Sequence, residues 1–317
     1  MEIQTKNQKI TKLHYHCVKN RPEIMKIAVI TYDNKGAYAS NEVNEDVMLE
    51  KMLKELGLDF SFEIWSDPQV IWQEYALLLI KSPWDYFDRY GEFKAWCEKI
   101  QEFGIPSLNS IDTILWNSDK WYLREIQEKG FPIVPTQYLK KKEPLHLESY
   151  FKEFNTDTLV IKPTVSGGSK NTLKLDLQNW QEHGVSIQTW LEEEDFMVQP
   201  FVEEVAKTGE YSYLFFNGKF SHAVLKSPKK GEFRVQHFFG GEIHPITPKE
   251  KELNYIQQIV DTFAADTLYA RVDGVWTEGV FYLMELELIE PYLFLFISEE
   301  AQENYKKAIE AQVSKLI

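Results

Sequence analysis

The sequence predicts a protein with several subdomains of the α/β and α+β classes, beginning with an α/β domain. Three observations lead to this prediction. First, short β-branched runs alternate with amphipathic segments over residues 25–110, which is typical of a parallel sheet covered by helices. Second, the hairpin signal Asn217-Gly218 indicates antiparallel strands further along the chain. Third, a length of 317 residues is too great for one ordinary hydrophobic core.

Composition restricts the possible functions. Hydrophobic residues make up 44% of the chain and aromatic residues 14%, which is ample for packed cores. A net charge of −14 argues against nucleic acid or an anionic membrane as the main partner, so an anionic substrate would need a local cluster of Lys and Arg. Two cysteines provide no disulfide framework, and apolar runs such as residues 75–80 are too short to span a bilayer. These features predict a cytoplasmic protein.

Residues 1–24 are polar and basic and lack the apolar region of a signal peptide. We interpret them as a flexible N-terminal extension or as the result of a start codon placed too early, because Met25 directly precedes the first strand. His14, His16 and Cys17 lie close together, but no second ligand pair follows at a spacing typical of a metal site, so we predict none there.

The N-terminal α/β domain is predicted over residues 25–110. The predicted strands are residues 26–32, 60–65 and 75–81, and the predicted helices are residues 42–56 and 92–103, followed by Gly57 and Gly104. Ligands bind at the carboxyl ends of the strands in open sheets of this kind. A candidate substrate edge therefore comprises Lys81, Ser82, Trp84 and Asp85. The alternative is a structural turn in which Trp84 covers the sheet.

Residues 111–129 have a helical pattern and precede a Gly/Pro breaker and a short strand at 136–140. Asn117 or Ser118 is a candidate cap for a helix that starts at Asp119, which places Lys120 in the first turn. A cation is unfavourable at the positive end of a helix dipole, so Lys120 at this position suggests an anionic partner. An ordinary exposed lysine is the alternative.

A glycine-containing loop follows the strand predicted at residues 157–162. The loop reads Thr-Val-Ser-Gly-Gly-Ser over residues 164–169, and a strand resumes at 172–175. Backbone N–H groups of such a loop can fold over phosphates, although the GK[ST] signature of a P-loop is absent. A structural hairpin is the alternative. Lys162, at the end of the first strand, favours the phosphate interpretation.

The remainder of the chain is predicted as antiparallel strands with three helices. The strands are residues 196–202, 210–216, 219–226, 233–238, 268–273 and the run from Val280, and the helices are residues 180–193, 250–263 and 298–316, with Ser298 as the cap of the last one.

An acidic hairpin lies within residues 270–291. Glu285 and Glu287 alternate with Met284, Leu286 and Leu288, so the sequence predicts both glutamates on one strand face and the apolar residues on the other. If Asp273 on the preceding strand joins them, three carboxylates would repel one another unless a cation lies between them. Such hard oxygen ligands suit Mg²⁺. A half-exposed strand with a solvated acidic face is the alternative.

Six motifs in order resemble the ATP-grasp superfamily, and within it the prokaryotic glutathione synthetase-like branch. The motifs are NSDKWYL with Lys120, VIKPTVSGGS with Lys162, QPFVEE at 199–204, GEYSY at 209–213, the Arg234 region with Gly240-Gly241, and RVDG followed by MELELIEP. The resemblance covers residues 25–295. It implies an ATP-grasp fold in which ATP lies between two sheets, with a Rossmann-like α/β domain at 25–110, a central lid subdomain at 111–196 and a C-terminal subdomain at 197–317.

The resemblance also implies residue roles. Lys120 and Lys162 would hold the α- and β-phosphates, and Arg271 and Arg234 would stabilise the transferring phosphoryl group and the acyl phosphate, with Lys226 adding positive charge at the substrate side. The implied phosphate loop comprises Ser166, Gly167, Gly168 and Ser169. Gln199, Phe201 and Val202 would form the hinge whose backbone reads adenine, with Glu203, Glu204 or Glu210 near the ribose. The implied Mg²⁺ ligands, with Mn²⁺ as an alternative ion, are Asp273, Glu285 and Glu287.

The activity implied by the resemblance is that of an ATP-dependent carboxylate–amine ligase, which forms an amide or peptide bond through an acyl phosphate and releases ADP and phosphate. Its partners would be a small carboxylate and an amine, with neither nucleic acid nor membrane. The oligomeric state stays open, and a homo-oligomer is compatible with the sequence. Two alternatives also stay open: a ligase that closes a ring within one molecule, and a nucleotide-binding module without turnover.

The chain departs from the family pattern at two places. Glu287 stands where relatives commonly carry Asn, which changes the charge of the predicted metal site and could alter which substrate is tolerated. The segment YLFLF after Pro291 is more apolar than the tail of a typical glutathione synthetase, which argues against glutathione itself as the product.

Overall fold

We analysed a computed structural model, which describes residues 25–33, 44–229 and 241–316. The predicted extension at 1–24 with its His14, His16 and Cys17, the strand predicted at 233–238, Arg234 and Gly240 lie outside these described residues. Among the described residues, no helix has the length and apolar character needed to cross a membrane.

The N-terminal part is a parallel sheet with strand order β2-β1-β3-β4. The strands are β1 (Lys26–Thr31), β2 (Asp59–Ile64), β3 (Leu77–Ser82) and β4 (Ser107–Leu108). Strands β1 and β3 are apolar on both faces because helices cover both sides of the sheet. Helix α1 (Glu45–Glu55) packs on one face and α2 (Tyr90–Phe103) on the other. The predicted α/β unit is confirmed.

The helix predicted over residues 111–129 is two helices, α3 (Ile111–Asn117) and α4 (Tyr122–Glu128). The Ser110 hydroxyl caps α3 by accepting the N–H of Thr113 at 3.1 Å. Lys120 lies in the connection, where its backbone N–H donates to Thr164 O at 2.9 Å. The predicted first-turn position of Lys120 is therefore wrong, and a helix dipole does not explain why this lysine needs an anion.

The central part contains an antiparallel sheet with strand order β5-β8-β6-β7. Its strands are β5 (Gln137–Leu139), β6 (Thr158–Pro163), β7 (Leu173–Asp176) and β8 (Phe196–Pro200). Helices α5 (Leu147–Glu153) and α6 (Trp180–Leu191) pack on it. Strand β8 crosses the predicted subdomain boundary at 196/197, so the first half of the predicted hinge segment belongs to the central sheet.

The C-terminal part is an antiparallel sheet with strand order β11-β10-β9-β12-β13. Its strands are β9 (Glu210–Phe216), β10 (Lys219–Ser227), β11 (Glu242–Ile246), β12 (Tyr269–Thr277) and β13 (Val280–Glu287), and its helices are α7 (Glu203–Lys207), α8 (Glu250–Phe263) and α9 (Glu299–Val313). Short 3₁₀ turns occur at Trp72–Glu74 and Leu295–Ile297. The sequence did not predict α7 or β11.

A β-bulge interrupts the acidic hairpin. Asp273 pairs with Glu285 and Gly274 pairs with Leu283, so Met284 has no partner on β12. The extra residue reverses the alternation of faces, and Met284 packs in a different cluster from Leu286. The prediction that Met284 shares a face with Leu286 and Leu288 is therefore wrong. Gly274 is required at the bulge, because a Cβ atom there would lie 2.4 Å from the Phe281 ring.

One hydrophobic core joins the first and last parts of the chain. Helix α9 contributes Tyr305 and Ile309 to a cluster that also contains Ile27 of β1 and Leu214 of β9. The predicted Ser298 cap of α9 is confirmed, since its hydroxyl accepts the N–H of Ala301 at 3.1 Å. The N-terminal and C-terminal sheets are thus packed against each other, which fixes the candidate substrate edge relative to the acidic hairpin.

Candidate active site

Charged side chains from the central part and the C-terminal sheet converge around β12 and β13. Most are buried or half-buried, although charged side chains normally remain in water. We call this set the ionic cluster, and it comprises Lys120, Lys162, Lys226, Arg271, Glu210, Asp273, Glu285, Glu287 and Glu290. It contains all three predicted metal ligands and both predicted phosphate-binding lysines.

Asp273 lies at the centre of the ionic cluster and is 1% exposed. Arg271 donates to it from Nε at 3.1 Å and from Nη2 at 2.9 Å, and Lys226 donates from Nζ at 3.2 Å. The hydroxyl of Ser212 donates at 2.6 Å. Burial raises the pKa of Asp273, but Arg271, Lys226 and these hydrogen bonds outweigh burial and hold it well below its usual range. Asp273 therefore anchors two cations, Arg271 and Lys226.

The two glutamates of β13 have different electrostatic environments. Lys120 Nζ lies 3.0 Å from Glu285, and Lys120 with Lys162 lowers the pKa of Glu285 against the effect of burial. Glu287 contacts Arg271, which it shares with another carboxylate. Burial raises the pKa of Glu287 to about 8, with Arg271 opposing the shift and Glu285 adding to it. Glu285 is thus the better neutralised of the two.

The edge of β13 is fixed by side chains of α3 and α4. The Asn117 amide donates to Leu286 O at 2.7 Å and accepts the N–H of Leu288 at 2.9 Å. The hydroxyl of Tyr122 accepts the N–H of Leu286 at 2.9 Å. These bonds replace a missing neighbouring strand, so Glu287, between the two leucines, is held on rigid backbone.

The three glutamates predicted near a ribose are separated in the structure. Glu210 pairs with Lys226 Nζ at 2.6 Å, and burial raises the pKa of Glu210 while Lys226 lowers it. Glu210 therefore lies on the Asp273 side of the ionic cluster. Glu203 is exposed and Glu204 half-buried, both in the first turn of α7, directly after the predicted hinge.

The two predicted phosphate lysines differ in their partners. Lys120 Nζ donates to Ser166 O at 2.7 Å and pairs with Glu285. Lys162 has neither an ion pair nor a hydrogen bond from its ammonium group within the ranges that the structure describes. Burial lowers the pKa of Lys162 and Lys120 lowers it further, while Glu285 and Glu210 oppose the shift. A half-buried ammonium group that contacts no carboxylate costs free energy, so the position of Lys162 calls for an anion.

The loop between β6 and β7 packs against the N-terminal α/β part. Gly167 touches the ring of Phe87 so closely that a Cβ atom would lie 2.4 Å from it. Lys170 pairs with Asp88, and Ser166 is buried. The loop therefore covers Lys120 and lies beside Lys162 at the end of β6. Gly168 and Ser169 both have positive φ, which turns the backbone at the tip.

The predicted hinge follows β8. Gln199 donates its side-chain amide to Thr136 Oγ1 at 2.8 Å. The N–H of Phe201 donates to Thr158 O at 2.9 Å, and Val202 O accepts the N–H of Val205 at 3.1 Å. The N–H of Phe201 and the carbonyl oxygen of Val202 are thus already hydrogen-bonded within the protein. Its role in adenine recognition stays a prediction.

Sequence reasoning missed Glu290, three residues after Glu287. Its carboxylate forms no ion pair with any described residue, while its backbone oxygen accepts Trp84 Nε1 at 3.0 Å. Burial raises the pKa of Glu290, and Glu287 adds to the effect. A single glutamate just before Pro291 carries no pattern that would have distinguished it from an exposed residue.

The donor chemistry of Asp273, Glu285 and Glu287 suits Mg²⁺, which prefers hard oxygen ligands. However, each of the three carboxylates contacts a cation of the protein. In the described parts of the chain, no three or more His, Cys, Asp or Glu side chains are arranged to hold a metal ion. Binding of Mg²⁺ at the predicted ligands would therefore require lysine and arginine contacts to be exchanged for metal contacts.

Two family models match separate parts of the chain. Residues 126–288 match the model of the ATP-grasp domain of prokaryotic glutathione synthetase. Residues 27–109 match the model of the N-terminal domain of the D-cycloserine synthetase DcsG. A curated relative, the cycloserine biosynthesis protein DcsG of Streptomyces lavendulae, is 26% identical over 269 residues, which cover 77% of this chain and 86% of the relative.

Solved structures share the fold. The crystal structure of D-cycloserine synthetase DcsG has a TM-score of 0.79 at 23% identity and covers 91% of this chain and 99% of that chain. The D-alanine–D-alanine ligase of Bacillus anthracis in complex with ATP has a TM-score of 0.65 at 16% identity and covers 92% of this chain and 97% of that chain. The ATP-grasp fold predicted from the six motifs is confirmed.

Proposed function

The chain belongs to the prokaryotic glutathione synthetase family of ATP-grasp domains and is an ATP-dependent carboxylate–amine ligase, and we propose that it works through an acyl phosphate. The observation that carries this route is Lys162. It is a half-buried ammonium group that forms no ion pair with any described residue, beside a glycine-containing loop and a carboxylate-bearing strand. A nucleotide phosphate would supply the missing negative charge.

The chemical need for ATP follows from the substrate. A carboxylate resists attack by an amine because oxide would have to leave. A carboxylate oxygen that bonds to the γ-phosphorus, while the bond from this phosphorus to the β-phosphate oxygen breaks, gives an acyl phosphate and ADP. The amine then attacks the acyl carbon, phosphate leaves, and the nitrogen loses a proton. The protein mainly positions the reactants and neutralises charge.

The ionic cluster supplies this neutralisation. Lys120 and Lys162 would bind the phosphates of ATP, and Arg271 and Lys226 would bind the transferring group and the substrate carboxylate. Asp273, Glu285 and Glu287 would hold Mg²⁺, which would supply positive charge to the phosphate oxygens. The role of Arg234 stays a prediction outside the described residues.

The glycine-containing loop has a separate role. By packing on Phe87, it can exclude the water that would otherwise hydrolyse an acyl phosphate.

A ring-closing reaction is a second candidate for the same site. The match of residues 27–109 to the N-terminal domain of D-cycloserine synthetase favours it, since substrate contacts are expected from this domain. D-Cycloserine is a five-membered ring with an acyl–nitrogen bond. A ligase closes such a ring when the carboxylate and the amine belong to one molecule, here 2-amino-3-(aminooxy)propanoic acid.

Nucleotide and metal binding can be tested by calorimetric titration of ADP, with and without Mg²⁺. We expect saturable binding that Mg²⁺ tightens in the natural protein but not in Glu285→Ala/Glu287→Ala. The control is Glu98→Ala/Glu102→Ala, which removes two exposed glutamates of α2 and should behave like the natural protein. If ADP fails to bind at millimolar concentration, the proposed nucleotide site is wrong.

The acyl phosphate can be tested with an ¹⁸O-labelled carboxylate. We expect label in the released phosphate, because the oxygen that bridges acyl carbon and phosphorus leaves with phosphate. If product forms but the released phosphate carries no label, the acyl-phosphate route is excluded.

The mass of the product separates the two candidate reactions. Ring closure removes one water from one molecule, whereas ligation joins two molecules. ATP binding without phosphate release from any acid and amine would contradict turnover itself.

A further inference from the structure

The carboxyl ends of β1 and β3 meet the first turn of α1 at the candidate substrate edge. The Ser82 hydroxyl, 1% exposed, lies 3.0 Å from Asp46 Oδ2 and 3.2 Å from Thr31 Oγ1. Asp46 was not identified from the sequence, because its side chain reaches Ser82 only through the packing of α1 on the sheet. A half-buried carboxylate therefore occupies the edge at which open α/β sheets bind ligands.

Asp46 differs from the neighbouring carboxylates in its partners. Glu45 accepts Lys81 Nζ and the N–H groups of Leu293 and Leu295, each at 2.9 Å. Asp85, also at this edge, accepts Trp65 Nε1 at 2.6 Å and lies 4.0 Å from Arg89. Asp46, by contrast, accepts a side-chain hydrogen bond only from the neutral hydroxyl of Ser82, and it forms no ion pair among the described residues.

The surroundings of Asp46 suit an organic cation. The ring of Tyr32 lies 5.6 Å from that of Trp84, and burial and Asp46 both raise the pKa of Tyr32. A pair of aromatic rings at the same edge as a carboxylate favours an ammonium group over a bare metal ion.

This edge is tied directly to the ionic cluster. Trp84 Nε1 donates to Glu290 O at 3.0 Å, and Lys81 Nζ lies 3.4 Å from Pro291 O. Glu290 follows Glu287 by three residues, so the backbone that carries the predicted metal ligands continues to the substrate edge. The substrate edge and the ionic cluster are therefore joined by one stretch of backbone.

We propose that Asp46 binds an ammonium group of the acid substrate, one that does not take part in the reaction. The inference rests on the proposed ligase function. A nitrogen held as ammonium has no lone pair and cannot attack an acyl phosphate, so Asp46 would decide which of two nitrogens is acylated. It would also select amino acids over acids that lack the ammonium group. Asp46 is thus a specificity residue, which acts by charge and hydrogen bonding.

The test compares two probes that differ only in the ammonium group: 2-amino-3-(aminooxy)propanoic acid and 3-(aminooxy)propanoic acid. Each is titrated calorimetrically into the full chain in the presence of ADP and Mg²⁺. We expect the natural protein to bind the first probe about 10- to 100-fold more tightly, as a charged hydrogen bond predicts. In Asp46→Asn this preference should disappear, while binding of the second probe stays unchanged.

Two controls keep the result interpretable. Asp59→Asn removes an equal charge from an exposed position of β2 and should keep the preference. Ser82→Ala removes the hydroxyl and leaves the charge of Asp46, so most of the preference should survive. The Asn side chain can still accept the Ser82 hydroxyl, so the Asp46→Asn protein should fold, and thermal unfolding checks this.

Three outcomes would overturn the proposal. In the natural protein, the ammonium probe could bind no more tightly than the other probe. In Asp46→Asn, the preference could persist, or both probes could lose affinity equally. Release of phosphate is measured separately. A protein that shows the ammonium preference but releases no phosphate with either probe would contradict the ring-closing function and leave the role of Asp46 supported.

Discussion

Two buried ionic networks in this protein are completed in different ways. In the junction pair, defined as Glu45 and Lys81, the carboxylate is 4% exposed and the ammonium group 1%. Backbone groups from the segment after β13 add further hydrogen bonds to both members of the pair. The ionic cluster is incomplete, because Lys162 and Glu290 form no ion pair with any described residue.

Structural and functional lysines differ in the contacts that the protein itself provides to their ammonium groups. Lys81 and Lys162 both lie at or near the end of a buried strand, and the sequence predicts a ligand near each of them. The structure gives Lys81 an ion pair with Glu45 and a backbone acceptor at Pro291, whereas Lys162 forms neither an ion pair nor an ammonium hydrogen bond with any described residue. A satisfied buried pair holds parts of the chain together, whereas an unsatisfied charge implies a ligand that supplies what is missing.

The largest expected effect is on stability, from Glu45→Ala in the junction pair. Removing one partner leaves a buried ammonium group and unsatisfied N–H groups, which costs about 3–5 kcal/mol in the free energy of unfolding. Urea denaturation measures this loss. The matched control is Glu45→Gln/Lys81→Met, which removes both charges and should recover most of the loss. A single variant as stable as the natural protein would show that the pair is not structural.

Lys162→Ala should reduce activity and leave stability intact. We expect kcat/KM to fall about 100- to 1000-fold, the usual cost of removing one group that stabilises a transition state. The free energy of unfolding should stay equal or rise, because the substitution removes a half-buried ammonium group that forms no ion pair with any described residue. Steady-state phosphate release and urea denaturation are measured on the same samples.

The control for Lys162→Ala is Lys219→Ala, at the exposed start of β10, which should change neither quantity. Near-normal turnover in Lys162→Ala would contradict the assignment of the site. A large loss of stability would instead place Lys162 in the same class as Lys81.

The sequence predicts elements better than it predicts contacts. Helix α8 matches its prediction at both ends, Glu250 and Phe263, because its apolar periodicity is uninterrupted. The acidic hairpin was also predicted, with Asp273 on its first strand, and the structure pairs Asp273 with Glu285. The bulge at Met284 was not, since an unpaired residue becomes visible only when the partner strand is known.

There is a physical reason why Asp46 and Glu290 were not identified from the sequence. Ser82 and Asp46 are 36 positions apart, and Trp84 and Glu290 are 206 positions apart. These contacts depend on how α1 and the segment after β13 pack on the N-terminal sheet. No local pattern marks a single carboxylate as the one that will reach a distant strand end, so Asp46 and Glu290 look like ordinary surface acids in the sequence.

A smaller effect on stability is expected from Gly274→Ala at the bulge. This substitution disturbs the backbone that carries the ionic cluster and leaves the charges of the cluster unchanged. The added methyl group would collide with the Phe281 ring and with Tyr282 O, both at 2.4 Å. We expect a loss of about 1–3 kcal/mol in the free energy of unfolding, the usual cost of overpacking.

The control for this change is Gly184→Ala, in the interior of α6, where the new Cβ meets nothing within 4 Å. It should stabilise the protein by about 0.5–1 kcal/mol, since alanine is the better helix former. If Gly274→Ala is equally harmless in urea denaturation, the backbone at the bulge is free to adjust.

The smallest effect is expected from Glu287→Asn, which neutralises one member of the ionic cluster. The asparagine oxygen can still bind Mg²⁺, and Asn is the residue that the family resemblance implies at this position. Loss of the contact with Arg271 is offset by relief of repulsion from Glu285 and Asp273, which both act to raise the pKa of Glu287. We therefore expect turnover and the Mg²⁺ concentration for half-maximal phosphate release to change by less than about tenfold, or 1.4 kcal/mol.

The matched change in the junction pair is Glu45→Gln, which also neutralises a buried carboxylate and nearly preserves its shape. It should lower the free energy of unfolding, because Lys81 keeps its charge and has no other carboxylate partner among the described residues. The two networks therefore differ in their response when one carboxylate is neutralised: the ionic cluster should tolerate the change, and the junction pair should not. If Glu287→Asn destabilises the fold as much as Glu45→Gln does, the ionic cluster is held together by its own ion pairs, and the expectation that a ligand completes it loses its basis.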